Sequence, residues 1–209
     1  MNATPAAART RRRRLFRRWL AAFITPVAVV GAWAAYLIYT DNFHVIVQDE
    51  AYRAGQMSSN EFARCLSRYG IRSVINMRGP NPTEDWFQQE VAAAEALGVE
   101  HQSFRMSSKQ SFTPERTAEL VALIKAAPKP VLFHCDGGAD RSAFAAALYG
   151  VEVAGWPVEK AEREFSVWYG HWPLIWKKKA RLLESFRLYI DAGSSNAQNA
   201  SVKALVRVP

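Results

Sequence analysis

Apolar runs and amphipathic stretches alternate along residues 42–191, which predicts short strands separated by helices. Strands are predicted at 43–47, 51–53, 71–77, 99–104 and 131–133. Helices are predicted at 58–69, 83–97, 113–126, 142–153 and 173–190, with a further helix starting at Pro157. This order predicts an α/β domain, with a central, mostly parallel sheet of about four to five strands and helices on both faces.

Short-range signals mark several of these helix ends. Ser58 and Glu61 have the spacing of a capping box, and Pro114 would occupy a first helical position. Gly70 and Gly98 follow the predicted ends of the first two helices of the domain. These residues place boundaries that the apolar pattern alone leaves open.

A longer apolar run precedes the domain, at residues 19–39. It contains no charged residue, and its length suits a helix crossing a hydrocarbon core of about 30 Å. We therefore predict one transmembrane anchor. Arginines on its N-terminal side predict a cytoplasmic N-terminus and a single-pass protein of the inner membrane, with the following domain in the periplasm.

Two other interpretations of this run stay open. It could be a signal peptide, including one of the twin-arginine type, cleaved after the small residues of Ala32-Trp33-Ala34 or left uncleaved, or it could be a buried helix. The run is long for a signal peptide and continues past that site through Leu37 and Ile38. The anchor is the interpretation that the length favours.

Charge is concentrated at the N-terminus. The formal net charge is +8, but seven arginines lie before residue 19. The remainder is nearly neutral, which argues against a nucleic-acid partner. We predict a basic cytoplasmic tail without regular structure at 1–18, the anchor at 19–39, one α/β domain at 42–191 and a flexible C-terminal tail at 192–209.

The candidate chemistry lies in residues 134–142, which read His-Cys-Asp-Gly-Gly-Ala-Asp-Arg-Ser and join a predicted strand to a predicted helix. In α/β folds, ligands bind beyond the carboxyl ends of strands. A glycine-rich loop at a helix N-terminus directs backbone N–H groups towards a phosphate. The predicted phosphate-binding residues are Asp136, Gly137, Gly138, Ala139 and Ser142.

Cys135 and Arg141 are the predicted catalytic pair. The loop amides, the helix dipole and the guanidinium all favour a thiolate at Cys135, and Arg141 can hold two phosphate oxygens with its planar fork. We expect a phosphocysteine intermediate that water then hydrolyses, with Ser142 hydrogen-bonded to the sulfur. This chemistry needs no cofactor and no metal. A disulfide between Cys65 and Cys135 would consume the nucleophile, so we expect free thiols.

His134-Cys135-x-x-Gly138-x-x-Arg141-Ser142 resembles the signature of the protein tyrosine phosphatase superfamily, in its dual-specificity-like bacterial branch. Residues 52–56 and 70–78 also resemble bacterial members, and the likeness covers about residues 43–190. It implies a phosphomonoesterase acting on phosphotyrosine or phosphoserine in protein, or on a phosphorylated lipid or glycolipid. A silent phosphate-binding scaffold and a rhodanese-like sulfurtransferase are the alternatives.

The general acid is not fixed by the resemblance. Many members carry an aspartate on a loop before the motif, but residues 105–113 contain no Asp or Glu. Asp140 inside the loop is the first candidate, and Asp85 is the second. Asp140 could instead only orient Arg141. Arg53 and Arg78 could grip substrate or form surface salt bridges.

Overall fold

The computed structural model describes residues 5–172 and 180–206, with the side chains of 17–172 and 180–193. The chain forms two compact units, divided between Tyr39 and Thr40. The first unit is one helix, α1 (Pro5–Tyr39), with Pro26 inside it. The predicted tail therefore differs from the structure, since residues 5–18 are helical. Within Arg17–Tyr39, an 18-residue stretch has a mean hydropathy of 1.9, and the 23 residues are long and apolar enough for a membrane span or a signal sequence.

The second unit is built on five strands, and the predicted α/β class is confirmed. The strands are β1 (His44–Val47), β2 (Ala51–Ala54), β3 (Ser73–Asn76), β4 (Glu100–Ser103) and β5 (Val131–His134). Their order across the sheet is β1-β2-β5-β3-β4. Only β1 runs antiparallel to its neighbour, and the strand that ends in the motif lies at the centre.

Helices cover both faces of this sheet. They are α2 (Ser59–Arg68), α3 (Asp85–Ala96), α4 (Pro114–Ala126), α5 (Arg141–Glu152), α6 (Val158–Ala161) and α7 (Ala180–Val206), with 3-10 turns at Glu162–Glu164 and Val167–Tyr169. Alternate residues of β5 point to opposite faces. Leu132 packs in the core beneath α2 and α3, whereas Val131 and Phe133 pack against α4, α5 and α7.

The predicted helix starts are largely confirmed. The capping box of Ser58 and Glu61 is present, and Thr113 caps α4 with Pro114 in its first turn. The C-terminus differs from the prediction, because α7 continues to Val206 where a flexible tail was expected. The predicted start of that helix at residue 173 lies outside the described residues.

Candidate active site

The motif forms the loop between β5 and α5, as predicted. Cys135 follows the last residue of β5 and is only 2% exposed. Its N–H donates to Ala54 O at 3.3 Å, and Gln56 N donates to Asp136 O at 2.8 Å. The loop therefore begins as a continuation of the pairing between β2 and β5, which holds its first residues in place.

The two glycines of the loop have different roles. Gly138 has a φ of +65°, and a Cβ there would lie 2.6 Å from Gly55 N and 2.8 Å from the carbonyl carbon of Ala54. Gly137 is exposed, and a Cβ there would meet nothing within 4 Å. Close backbone packing and a left-handed conformation thus require glycine at position 138 alone.

The sulfur of Cys135 lies 3.1 Å from Ser142 Oγ, as the sequence predicts. Ser142 is fully buried in the first turn of α5, and its hydroxyl also lies 3.4 Å from Ala54 O. A hydroxyl in this position can donate to a thiolate and stabilise it.

Arg141 is the first residue of α5 and is half-buried. Its Nε is buried and has no hydrogen-bond partner among the described residues. A buried guanidinium N–H without a partner is costly, and an oxyanion held in the adjacent loop would supply the missing acceptor.

Arg53 supports the loop from inside the domain. Its Nη2 donates to Gly138 O at 2.8 Å and to Ala139 O at 3.1 Å, and its Nη1 donates to Glu164 Oε2 at 2.7 Å. The side chain of Arg53 is fully buried. The two predicted roles of Arg53, a substrate grip and a surface salt bridge, are therefore wrong. Its buried guanidinium instead donates to two loop carbonyls and to the Glu164 carboxylate.

Asn42 ties a second segment to the same loop. Its Nδ2 donates to Gly137 O and to Tyr169 O, both at 2.9 Å, and its Oδ1 lies 2.8 Å from His44 Nε2. Burial and the nearby Arg53 charge lower the pKa of His44 to about 4, so this imidazole is neutral at pH 7. Asn42 thereby fixes the second 3-10 turn beside the loop.

Asp140 lies at the end of the loop and contacts His171. His171 Nδ1 is 2.8 Å from Asp140 Oδ1. His171 is fully buried and Asp140 is 8% exposed. Among the side chains that the structure describes, at 17–172 and 180–193, none is a hydrogen-bond partner of His171 Nε2. The pair brings together residues that are 31 positions apart in the chain.

A buried carboxylate on α3 lies beside the residue that precedes Cys135. Glu90 Oε1 is 2.7 Å from both His101 Nε2 and His134 Nε2, and Glu90 Oε2 accepts from Gln56 Nε2 at 2.9 Å. Burial raises the pKa of Glu90, but the close side chains of His101, His134 and Gln56 outweigh it and bring the pKa to about 2. Glu90 is therefore ionised.

Glu90, His101 and His134 are a group of possible metal ligands, with donor atoms within 4.8 Å of one another. Ligands of a tetrahedral zinc ion lie about 3.3 Å apart, since the bonds to the metal are about 2.0 Å. Here each imidazole nitrogen lies 2.7 Å from one carboxylate oxygen. This spacing fits a charged hydrogen-bond network better than a metal centre.

The rim of the loop carries Arg78. Its Nη1 donates to Gln56 Oε1 at 2.7 Å and lies 3.9 Å from Asp136 Oδ1, and its guanidinium stacks 3.7 Å from the ring centre of Trp86. The side chain of Asp136 is 71% exposed. Asp85 is exposed in the first turn of α3, directly before Trp86. The start of α3 thus reaches the rim through Trp86.

Comparison with known proteins agrees with this geometry. The sequence model of the tyrosine phosphatase family matches residues 37–168, more than half of the chain. This chain belongs to the tyrosine phosphatase family. The superfamily predicted from the sequence is therefore confirmed, and phosphatase activity is the activity that this membership supports. No curated protein sequence matches the chain significantly.

Solved structures of phosphatases share the fold of this family member. The core catalytic domain of the PP-IP phosphatase SIW14 from S. cerevisiae is 18% identical, with 77% of this chain and 92% of that chain covered and a TM-score of 0.57. TpbA from P. aeruginosa is also 18% identical, with 73% and 91% covered and a TM-score of 0.51. PTPMT1 is 21% identical, with 73% and 99% covered and a TM-score of 0.51.

The structure places Cys135, Asp140, Arg141 and Ser142 together around one loop, whereas Asp85 lies exposed on α3. Both cysteines are free, and burial raises the pKa of Cys65 to about 12.

Sequence reasoning missed four residues that contact the loop or its neighbours: Asn42, Glu90, Glu164 and His171. One compositional sign was available, because the chain has four histidines and all of them lie in these networks.

Proposed function

We propose that this protein is a cysteine-dependent phosphomonoesterase that works through a phosphocysteine intermediate. The observation that carries the proposal is the position of Cys135 Sγ, 3.1 Å from Ser142 Oγ in a loop that leads directly into α5. Arg141 opens that helix with a buried Nε that lacks a protein partner. These are the parts that an attack on a phosphate requires.

In the first step the loop amides and the positive end of α5 hold the phosphate, and Arg141 binds two of its oxygens. Asp136, Gly137, Gly138 and Ala139 supply the amides. Cys135 attacks phosphorus as a thiolate, and the bond to the leaving oxygen breaks. Arg53 holds the carbonyl groups of residues 138 and 139 towards its own buried guanidinium, so the loop amides can face the phosphate.

The leaving oxygen takes a proton from a general acid, and we assign this role to Asp140. It is the acidic residue in the loop that is buried. Asp85 remains the alternative, because the rim contact of Trp86 brings the start of α3 near the loop. In the second step, water attacks the phosphocysteine, and the hydroxyl of Ser142 stabilises the departing thiolate.

We propose a phosphoprotein or a phosphorylated lipid or glycolipid as the substrate. The structural relatives include a PP-IP phosphatase, and TpbA has been solved in complex with pTyr. Residues 135–142 contain one basic side chain, Arg141, and one exposed acidic side chain, Asp136. This balance suits a single phosphomonoester better than a crowded polyphosphate.

We also propose that α1 anchors the protein in the inner membrane, with the N-terminus in the cytoplasm and the catalytic domain in the periplasm. The apolar length of Arg17–Tyr39 and the arginines before it support this orientation. Anchoring raises the effective concentration of any substrate in the same membrane. In spheroplasts, external protease should digest the domain, and the chain should resist extraction with alkaline carbonate.

The proposed activity is tested with the full chain in detergent micelles. Phosphate release is measured from phosphotyrosyl and phosphoseryl peptides, and from phosphatidic acid and a lipid A-type glycolipid in mixed micelles. Cys135→Ser should abolish release, whereas Cys65→Ser, at the other buried free thiol, should retain it. The substrate class is the one with the highest kcat/KM.

If the wild type releases phosphate from none of these compounds, the phosphatase assignment is wrong. Binding of the phosphopeptide to wild type and Cys135→Ser alike would then identify the phosphate-binding scaffold. Thiosulfate:cyanide activity that depends on Cys135 would identify the sulfurtransferase.

A further inference from the structure

Among the described residues, those of the loop (135–142) would carry more negative than positive charge once substrate is bound. A thiolate at Cys135, a carboxylate at Asp140 and a phosphate dianion would share one site, and Cys135 and Asp140 are both buried. Arg141 supplies one positive charge. The charge of Arg53 is already balanced by Glu164 at 2.7 Å. Like charges in a buried site favour uptake of a proton by one of them.

The contact between Asp140 and His171 gives this proton a defined place. His171 Nδ1 lies 2.8 Å from Asp140 Oδ1, and Nε2 of this fully buried imidazole has no partner among the residues described. A protonated Nε2 would be a buried donor without an acceptor, which is costlier than a bare lone pair. The favoured arrangement is therefore a neutral imidazole that donates from Nδ1, with the additional proton on the carboxyl group of Asp140.

We propose that Asp140 and His171 form a proton-holding pair, in which Asp140 is the general acid and His171 is the positioning residue that orients its carboxyl group. The pair rests on the phosphatase function proposed above. It would replace the upstream acid that residues 105–113 lack. His171 does not belong to the loop; it lies in the segment after the second 3-10 turn.

Neighbouring contacts hold His171 in this position. The imidazole ring of His171 lies edge-on to Phe165, with 5.4 Å between ring centres. The backbone N–H of His171 donates to Ser166 O at 3.2 Å. Asn42 donates to both Gly137 O and Tyr169 O, so the His171 segment and the loop share one anchor. Among the described residues, the titratable and charged groups of the loop beside the pair are Cys135, Asp136 and Arg141, and those of the segments that contact the loop include Arg53, Glu164, His44 and Tyr169.

Asp140 gives up its proton in the first step of the reaction and regains one in the second. In the first, a bond forms between Cys135 Sγ and phosphorus, the bond to the leaving oxygen breaks, and that oxygen takes the proton of Asp140. In the second, water attacks phosphorus, the bond to sulfur breaks, and the proton from water returns to the Asp140 carboxylate. The thiolate and the protonated pair are then restored, and phosphate leaves as a dianion.

The first test compares leaving groups in the full chain. Asp140→Asn should lower kcat about 100-fold for an alkyl phosphate and far less for p-nitrophenyl phosphate, whose leaving group needs no acid. His171→Leu should lower kcat for the alkyl phosphate selectively. It should also move the alkaline limb of the pH profile upward, because loss of an N–H donor disfavours the carboxylate. His171→Asn, which keeps a donor near the Nδ1 position, should restore both.

The second test does not depend on turnover. Tungstate binding to Cys135→Ser is followed by calorimetry in buffers of different ionisation enthalpy between about pH 6 and pH 9. Uptake of up to one proton is expected, and it should vanish in Cys135→Ser/Asp140→Asn. Equal proton uptake by both proteins would overturn the pair, as would a His171→Leu variant that slows both leaving groups equally with an unmoved pH limb. Failure of the phosphatase function itself would instead appear as wild-type protein without Cys135-dependent release.

Discussion

Glu90 Oε1 lies 2.7 Å from His134 Nε2, so a carboxylate from α3 contacts the residue directly before the proposed nucleophile. Both side chains are 2% exposed. The same oxygen contacts His101 on β4, at the edge of the sheet. One acidic side chain thus links a helix, an edge strand and the central strand that carries the loop.

Replacing this carboxylate should destabilise the fold in a pH-dependent way. The pKa of Glu90 is about 2, below the ordinary value of 4.5, so its contribution is complete above about pH 4.5 and is lost as the pH falls towards 2. Glu90→Gln should cost roughly 3 kcal/mol at pH 7, measured by urea unfolding. The difference from wild type should shrink below pH 4.5.

Glu95→Gln is the matched control, because Glu95 is exposed on the same helix. It should change the free energy of unfolding by less than about 0.5 kcal/mol at any pH in this range. A cost for Glu90→Gln that is constant from pH 7 to about pH 3 would contradict the ionised network.

Arg53 and Glu164 should behave as a coupled pair. Arg53→Met leaves Glu164 buried without its partner and removes the donor to two loop carbonyls, so a loss of about 3–5 kcal/mol is expected. Glu164→Gln added to Arg53→Met should recover part of that stability but none of the activity. Urea unfolding and kcat/KM measure the two effects.

The exposed Arg64 provides the comparison for this pair, since Arg64→Met removes the same charge from the surface of α2. It should leave both stability and activity close to wild type. Additive losses in the double variant Arg53→Met/Glu164→Gln would show that the two side chains do not interact.

The two loop glycines give a sharp contrast. Gly138→Ala places a methyl group 2.6 Å from Gly55 N at a φ of +65°, so it should cost at least about 2 kcal/mol and abolish phosphate release. Gly137→Ala meets nothing within 4 Å and should leave the thermal unfolding midpoint within a few degrees of wild type. Equal loss of stability in both variants would contradict the packing of the loop on residues 54–55.

Ser142 should act mainly on the second step. Ser142→Ala removes the hydroxyl 3.1 Å from Cys135 Sγ, and loss of a hydrogen bond to a charged group slows thiolate departure by roughly tenfold or more. Rapid-quench kinetics should show a retained burst and a slower steady state. Ser73→Ala, which removes another buried hydroxyl at the opposite end of the sheet's strands, should leave the ratio of the two phases unchanged.

The motif was readable from the sequence because its chemistry is local. Strand, cysteine, glycine-rich loop and helix are consecutive, so Cys135, Asp140, Arg141 and Ser142 are close in the sequence as well as in the structure. The prediction was less accurate for the secondary structure of the terminal segments. The basic N-terminus and the Ser-, Asn- and Ala-rich C-terminus suggested irregular chain at 1–18 and 192–209, but residues 5–18 and 192–206 continue neighbouring helices.

The sequence by itself determined the α/β class, the loop and its reacting residues, because these depend on short-range spacing and on the alternation of apolar runs. Only the tertiary structure decided what surrounds the loop. Arg53 reaches carbonyls 85 and 86 positions away, and Asn42 bridges to residues 95 and 127 positions away. Buried polar groups must find partners wherever packing places them, and spacing along the chain carries no record of those partners.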